Sequence, residues 1–88
     1  MLSHNQIKYI NSLKIKKYRY QHKAFFVEGE KGVAELFQST FHIVKVFALR
    51  EWINANYLLF GGRNIEIQEI TPDELKKVSD LIDRKAHV

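Results

Sequence analysis

The chain opens with apolar side chains at the spacing of a helix. Three of them recur three residues apart: Ile7, Ile10 and Leu13. Ser3 precedes them as a candidate N-cap, and Gln6 occupies the position that completes a capping box. The pattern predicts an amphipathic helix over residues 4–17, with the polar residues 17–24 forming a connecting loop or frayed turn.

Three later segments have the composition of strands. They are residues 25–27, which read Phe-Phe-Val, residues 43–49 and residues 65–67. Gly29 bounds the first segment, and the third alternates apolar and polar side chains. The second is a nearly continuous apolar run, which suits a strand covered on both faces in a parallel sheet.

Helices are predicted between these strands and after the last one. They span residues 31–39, residues 50–60 and residues 71–82. Gly61 and Gly62 end the second of them, because glycine adopts the left-handed conformation that closes helices. The third has the clearest start: Thr71 can cap it, Pro72 occupies the first helical position and Glu74 completes a capping box.

The alternation of strands and helices after the first helix predicts a small layered α/β domain with a largely parallel central sheet. A chain of 88 residues is long enough for one domain at most. Within that domain we predict a basic N-terminal helix and loop over residues 1–24 and an α/β core over residues 25–84. The apolar content of 45% is that of a packed globule.

Charge is distributed unevenly along the chain. The net charge is +4, but residues 1–27 hold six Lys and Arg and no Asp or Glu. Residues 28–88 hold eight basic and ten acidic residues, which gives them a local charge of −2. A basic block at one end of the chain predicts an anionic partner, with nucleic acid ahead of a membrane surface.

Six basic residues of this block are candidate RNA contacts: Lys8, Lys14, Lys16, Lys17, Arg19 and Lys23. Tyr18 and Tyr20 lie among them as candidates for base stacking, since cations interleaved with aromatic rings are typical of surfaces that bind RNA. A simpler interpretation is a solvated helix end, where the helix dipole favours lysine. That interpretation does not account for Arg19 and Lys23, which continue the block beyond the helix end.

Other chemistry is weakly indicated. No apolar run approaches the ~20 residues that span a bilayer, no signal-peptide core is evident and there is no cysteine, so we expect a cytoplasmic protein without a membrane partner. The four histidines lack the spacing of metal ligands, and no catalytic constellation stands out, so we expect no metal and no catalytic residue. Glu28, an isolated carboxylate, is better explained as a structural hydrogen-bond acceptor than as a functional group.

The order of several motifs resembles the N-terminal domain of SpoU-type (TrmH-like) RNA 2′-O-ribose methyltransferases. That family has an Asn and an Ile-Lys pair in its first helix, then Lys-x-Arg, then Phe-x-Val-Glu-Gly before a helix with a late Glu. The residues that match are, in chain order, Asn5, Ile7 and Lys8, then Lys17 and Arg19, then Phe25, Val27, Glu28 and Gly29, and finally Glu35.

The resemblance implies an RNA substrate-binding domain with the three-layer α/β/α sandwich of the kink-turn-binding ribosomal proteins, in which Glu28 and Gly29 end a strand. It implies rRNA or tRNA as the partner. In the family this domain is joined to a knotted methyltransferase domain that binds S-adenosylmethionine, carries the catalytic residues and forms a homodimer. These 88 residues stop where that domain would begin. We therefore expect no cofactor in this chain and interpret it as a fragment or a stand-alone RNA-binding module.

Two other functions stay open at the level of the sequence. A complete small interaction protein could dock an acidic protein or ribosomal surface, and it would bind protein but not RNA. An enzyme in its own right would bind S-adenosylmethionine, which we do not expect of this chain alone, although the resemblance makes it part of such a methyltransferase.

Overall fold

The computed structural model describes residues 2–83, and the side chains of residues 2–80. These residues form, in chain order, α1 (His4–Ser12), α2 (Lys16–His22), α3 (Glu30–Phe37), β1 (Lys45–Ala48), α4 (Arg50–Asn56), a 3₁₀ helix (Tyr57–Phe60), β2 (Glu66–Glu69) and α5 (Pro72–Asp83). The chain is thus a small α/β domain, which confirms the predicted class. The last residue of the predicted core, residue 84, lies outside the described residues.

Capping boxes begin the first and last helices where the sequence predicts them. At α1, the backbone N–H of Gln6 donates to Ser3 Oγ over 3.1 Å, and the Ser3 N–H donates to Gln6 Oε1 over 2.8 Å. At α5, the Glu74 N–H donates to Thr71 Oγ1 over 3.1 Å, and the Thr71 N–H donates to Glu74 Oε1 over 2.9 Å. Each box satisfies N–H groups that have no partner within the helix.

The prediction of one helix over residues 4–17 is wrong. The first helix ends at Ser12 with Leu13 as its C-cap, and Ile15 adopts an extended conformation (φ −102°, ψ 126°) before α2 begins. Residues 17–24, predicted as a loop, are therefore largely helical. The sequence has no glycine or proline at this break. Packing stabilises it instead: Leu13 is only 4% exposed, and the Arg19 side chain donates a hydrogen bond to the Leu13 carbonyl oxygen.

Residues 25–27 form no strand, so that prediction is also wrong. Side-chain contacts fix this segment instead of a backbone ladder. Phe25 packs edge-on against Phe41 with 5.1 Å between ring centroids, and the Glu28 carboxylate accepts a hydrogen bond from Ser79 Oγ. A short aromatic and β-branched run suits any half-buried surface, which is why its composition did not distinguish this segment from a strand.

The strands β1 and β2 pair in parallel, as the apolar run before and within β1 predicts, and they form the sheet of the described residues. Their register places Lys45 opposite Glu66, and the two side chains form an ion pair of 3.1 Å. On β2, Gln68 Oε1 accepts a hydrogen bond of 2.7 Å from Gln6 Nε2, which fastens α1 to the sheet.

The core is contributed by elements along the whole described chain. Its buried apolar residues are Leu2, Leu13, Phe37, Ile43, Ala48 and Ile70. Leu2 also donates its backbone N–H to Glu74 Oε2 over 2.6 Å, so the start of the chain is attached to α5. No residue of α2 is buried, so this helix lies at the surface of the domain.

Candidate nucleic-acid interface

The helix α2 presents a basic and aromatic face to solvent. Successive residues of an α-helix are rotated by about 100°, so Lys16, Lys17 and Tyr20 fall within about 100° of one another around α2. All three side chains are exposed, and Tyr20 retains 72% of its accessible surface. We call these three residues the α2 face.

Cations lie close to aromatic rings on this helix. Lys16 Nζ lies 5.6 Å from the centroid of the Tyr20 ring, and Lys17 Nζ lies 5.7 Å from that of Tyr18. Contacts of this kind contribute about 0.5–1 kcal/mol at exposed sites and favour conformations in which ammonium and ring are adjacent. An ammonium group beside an exposed ring can contact a phosphate while the ring stacks on a base.

The two candidate stacking residues differ in their surroundings. Tyr20 is largely exposed, whereas Tyr18 is half-buried on the opposite side of α2. The geometry therefore suits Tyr20 better than Tyr18 for base stacking. The sequence did not distinguish Tyr18 from Tyr20, because both rings would be equally exposed in the polar loop that it predicted.

Arg19 has a structural partner within the domain. Its Nη1 donates to the Leu13 carbonyl oxygen over 3.0 Å, at the C-terminus of α1, and the side chain is half-buried. Helix ends carry carbonyl oxygens without partners inside the helix, and arginine near such an end satisfies one of them. The sequence-based hypothesis assigned Arg19 to RNA alone, since this contact depends on the turn between the two helices.

The remaining candidates lie at the ends of α2 and on α1. Lys23 caps α2 in the left-handed conformation (φ 55°) with an exposed side chain, and Lys14 is half-buried in the turn before α2. Lys8 is exposed on α1. The rings of Tyr9 and His22 meet edge-on at 5.0 Å, which holds α1 against α2. This contact joins α1 to α2, and no sequence pattern predicted it.

Ion pairs in the described residues connect charges within the later part of the chain. They are Lys45–Glu66, Arg50–Glu69 and Lys76–Asp80, with N–O distances of 3.1, 3.2 and 3.1 Å. These pairs use basic and acidic residues that all lie after residue 27. They involve none of the basic residues Lys8, Lys16, Lys17, Arg19 and Lys23.

Glu28 and Gly29 have structural roles rather than ending a strand. Gly29 is the N-cap of α3 and has a φ of 92°, a backbone conformation that residues other than glycine adopt only with strain. The Glu28 carboxylate is held by Ser79 Oγ, so it acts as the hydrogen-bond acceptor that its isolated position suggested. Glu28 and Gly29 thus connect three segments: residues 25–28, α3 and α5.

A surface groove beside α5 is lined by Glu69, Ile70, Thr71 and Glu74. Its two carboxylates are already engaged, Glu69 with Arg50 and Glu74 with two backbone N–H groups. Within the described part of the chain, no three His, Asp or Glu side chains are grouped to hold a metal ion.

No helix in the described range 2–83 combines the length and the apolar character needed to cross a bilayer. The described residues form a small α/β domain in which α2 carries exposed lysines and an exposed tyrosine. The comparison with protein families then identifies this domain. The model of the MRM3-like substrate binding domain matches residues 4–83, so the chain belongs to this family.

The family match confirms the resemblance to the substrate-binding domains of SpoU-type methyltransferases. It covers nearly the whole chain, from α1 through the parallel strands to α5. No curated protein and no solved structure gave a match.

Proposed function

We propose that this domain recognises RNA for a SpoU-family 2′-O-ribose methyltransferase that modifies rRNA or tRNA, and that its basic N-terminal helices hold the RNA. One observation carries the proposal. All six basic residues of the block, Lys8, Lys14, Lys16, Lys17, Arg19 and Lys23, lie in a family-matched substrate-binding domain without an acidic residue among them. A partner rich in phosphate satisfies this charge.

The α2 face supplies the geometry of the contact. Lys16 and Lys17 are exposed point charges that bind phosphate, and Tyr20 offers a ring for one unstacked base. Contacts to phosphate alone give dissociation constants of roughly 10⁻⁴–10⁻⁶ M at physiological salt. A covalently joined catalytic domain would profit from this weak binding, because tethering raises the local concentration of RNA at its active site.

The proposal places catalysis in a second domain and not in these residues. A neighbouring methyltransferase domain would bind S-adenosylmethionine as the methyl donor, supply the catalytic residues and form the homodimer. Such an enzyme would work in the cytoplasm. The three-layer arrangement of an α/β/α sandwich also remains part of this proposal.

The salt dependence of RNA binding tests the proposed contact. We expect the native chain to bind a single-stranded RNA with a log–log salt slope of about −3.5, which phosphate contacts of the five lysines of the block predict, since Arg19 already donates to the Leu13 carbonyl oxygen. A variant with Lys16→Gln, Lys17→Gln and Lys23→Gln loses three contacts, so its salt slope should become shallower, at about −1.4. Fluorescence anisotropy across a salt series measures both slopes.

A matched variant separates the position of the charges from their number. Lys31→Gln, Lys76→Gln and Lys77→Gln remove the same charge from exposed lysines outside the block, and this variant should keep the native slope. Equal effects of the two triple variants would show that net charge alone binds RNA. A native chain that binds an acidic protein but no RNA would select the docking function instead.

A further inference from the structure

A second groove lies at the end of the sheet where both strands begin. It has a volume of about 210 Å³ and is lined by Phe41, His42, Ile43, Arg63, Asn64 and Ile65. The first three of these residues precede β1 and the other three precede β2. The lining contains one guanidinium and no carboxylate, so its chemistry suits an anionic ligand. We call it the Phe41–Arg63 groove.

Arg63 is held in place at the wall of this groove. Its Nη2 donates to the Phe37 carbonyl oxygen over 2.8 Å, and its guanidinium carbon lies 5.3 Å from the Phe37 ring centroid. Phe37 is itself buried and packs edge-on against Phe60 at 5.3 Å. A guanidinium has five N–H donors, so one bond to the protein fixes its orientation and leaves donors for a phosphate.

Exposed aromatic rings connect this groove with the basic block. Phe41 retains 59% of its surface and Phe25 retains 49%, although the two rings are in contact at 5.1 Å. Phe25 follows Lys23 by two residues, which places it within about 7 Å of the end of α2. Two exposed rings thus lie between Lys23 and Arg63, where a base could stack.

We propose that the Phe41–Arg63 groove is a second RNA contact, in which one unstacked nucleotide places its base on Phe41 and a phosphate on Arg63. The RNA backbone then runs past Phe25 towards Lys23. This inference rests on the proposed function and deepens it by naming the form of the RNA. The nucleotide must belong to a single-stranded segment, because the bases of a duplex are stacked on one another and cannot stack on a protein ring.

Two probes separate base stacking from phosphate binding: a nine-nucleotide single-stranded RNA and an abasic oligonucleotide of the same length. We expect Phe41→Ala to weaken binding of the RNA by about 5- to 150-fold, since stacking on one ring contributes about 1–3 kcal/mol per base. Binding of the abasic oligonucleotide should stay at the native level. Arg63→Gln should weaken binding of both probes, because it removes a phosphate contact.

Controls keep the test independent of folding. Tyr57→Ala removes a ring that is 65% exposed and lies outside the groove, and it should leave both affinities unchanged. Phe41→Tyr retains the ring and should bind RNA like the native chain, even if Phe41→Ala lowers the melting temperature. Native RNA affinity of a folded Phe41→Ala variant would overturn the inference, as would an equal loss for both probes.

The failure of this inference is distinguishable from failure of the proposed function. If the native chain binds neither oligonucleotide, the RNA-binding function itself fails. If the lysine variant loses its salt dependence while Phe41→Ala binds normally, the basic block remains the RNA surface and only the second contact is overturned.

Discussion

Individual side chains in the basic block serve either the fold or the surface. Lys16 and Lys17 are exposed on α2, where their charge has no role in the core. Arg19, between them and the end of α2, donates to a carbonyl oxygen of α1. Because the sequence shows only a run of basic residues, it predicted one role for all of them. The structure assigns Arg19 a contact that stabilises the turn between the helices.

Arg19→Gln should therefore destabilise the domain by about 1–2 kcal/mol, because hydrogen bonds to a charged group contribute somewhat more than neutral ones. Lys17→Gln, at an exposed position of the same helix, should change the free energy of unfolding by less than about 0.5 kcal/mol. Urea denaturation measures both. If Arg19→Gln has native stability but lower RNA affinity, the side chain serves RNA binding and not the fold.

At the scale of elements, a close approach joins α3 to the preceding segment. A Cβ atom built on Gly32 would lie 2.7 Å from Val27 Cγ1, which is shorter than real Cβ contacts. Glycine within a helix otherwise costs about 1 kcal/mol relative to alanine. The lack of a side chain at Gly32 therefore allows α3 to pack against residues 25–28, which take the place of the predicted strand.

Gly32→Ala should lower the free energy of unfolding by about 1 kcal/mol or more, because overpacking outweighs the gain in helix propensity. The side chain of Val27 is β-branched and rotates little, so it cannot move aside easily. In a Val27→Ala background the same substitution should instead raise stability. A double-mutant cycle by urea denaturation tests this coupling, and identical effects in both backgrounds would exclude the contact.

At the scale of the whole molecule, Glu74 joins the start of the chain to its last helix. Hydrogen bonds from the backbone N–H groups of Leu2 and then of Thr71 hold the pKa of the Glu74 carboxyl below its ordinary value of 4.5. These bonds favour the ionised form. The N-terminal helices that carry the basic block thus depend on this carboxylate for part of their attachment.

The stability that Glu74 contributes should depend on pH. Because its pKa is lowered in the folded state, the contribution is fully present above the unfolded value, near 4.5, and is lost as the pH falls through the lower folded value. Glu74→Gln does not titrate, so its unfolding free energy should fall less steeply below pH 4.5 than that of the native chain. Urea denaturation at a series of pH values measures this difference.

Glu35→Gln, at an exposed position of α3, is the matched control for the loss of one carboxylate. It should retain the steep fall in stability that Glu74 causes. Parallel pH profiles for the native chain and Glu74→Gln would refute a role for this carboxylate in attaching the N-terminus.

Local spacing and composition were enough to predict the features that depend on neighbours within a few residues: both capping boxes, the α5 helix and the block of positive charge. The short motifs identified the family, and the apolar run of β1 indicated a parallel sheet, although the paired residues are distant in the chain. The break after α1, the irregular path of residues 25–28 and the partner of Arg19 were not predictable in this way, because they depend on packing. The tertiary structure also brought Phe25, Phe41 and Arg63 to one side of the molecule. These features join residues that lie several to tens of positions apart, and packing selects among conformations that local propensity leaves nearly equal in free energy.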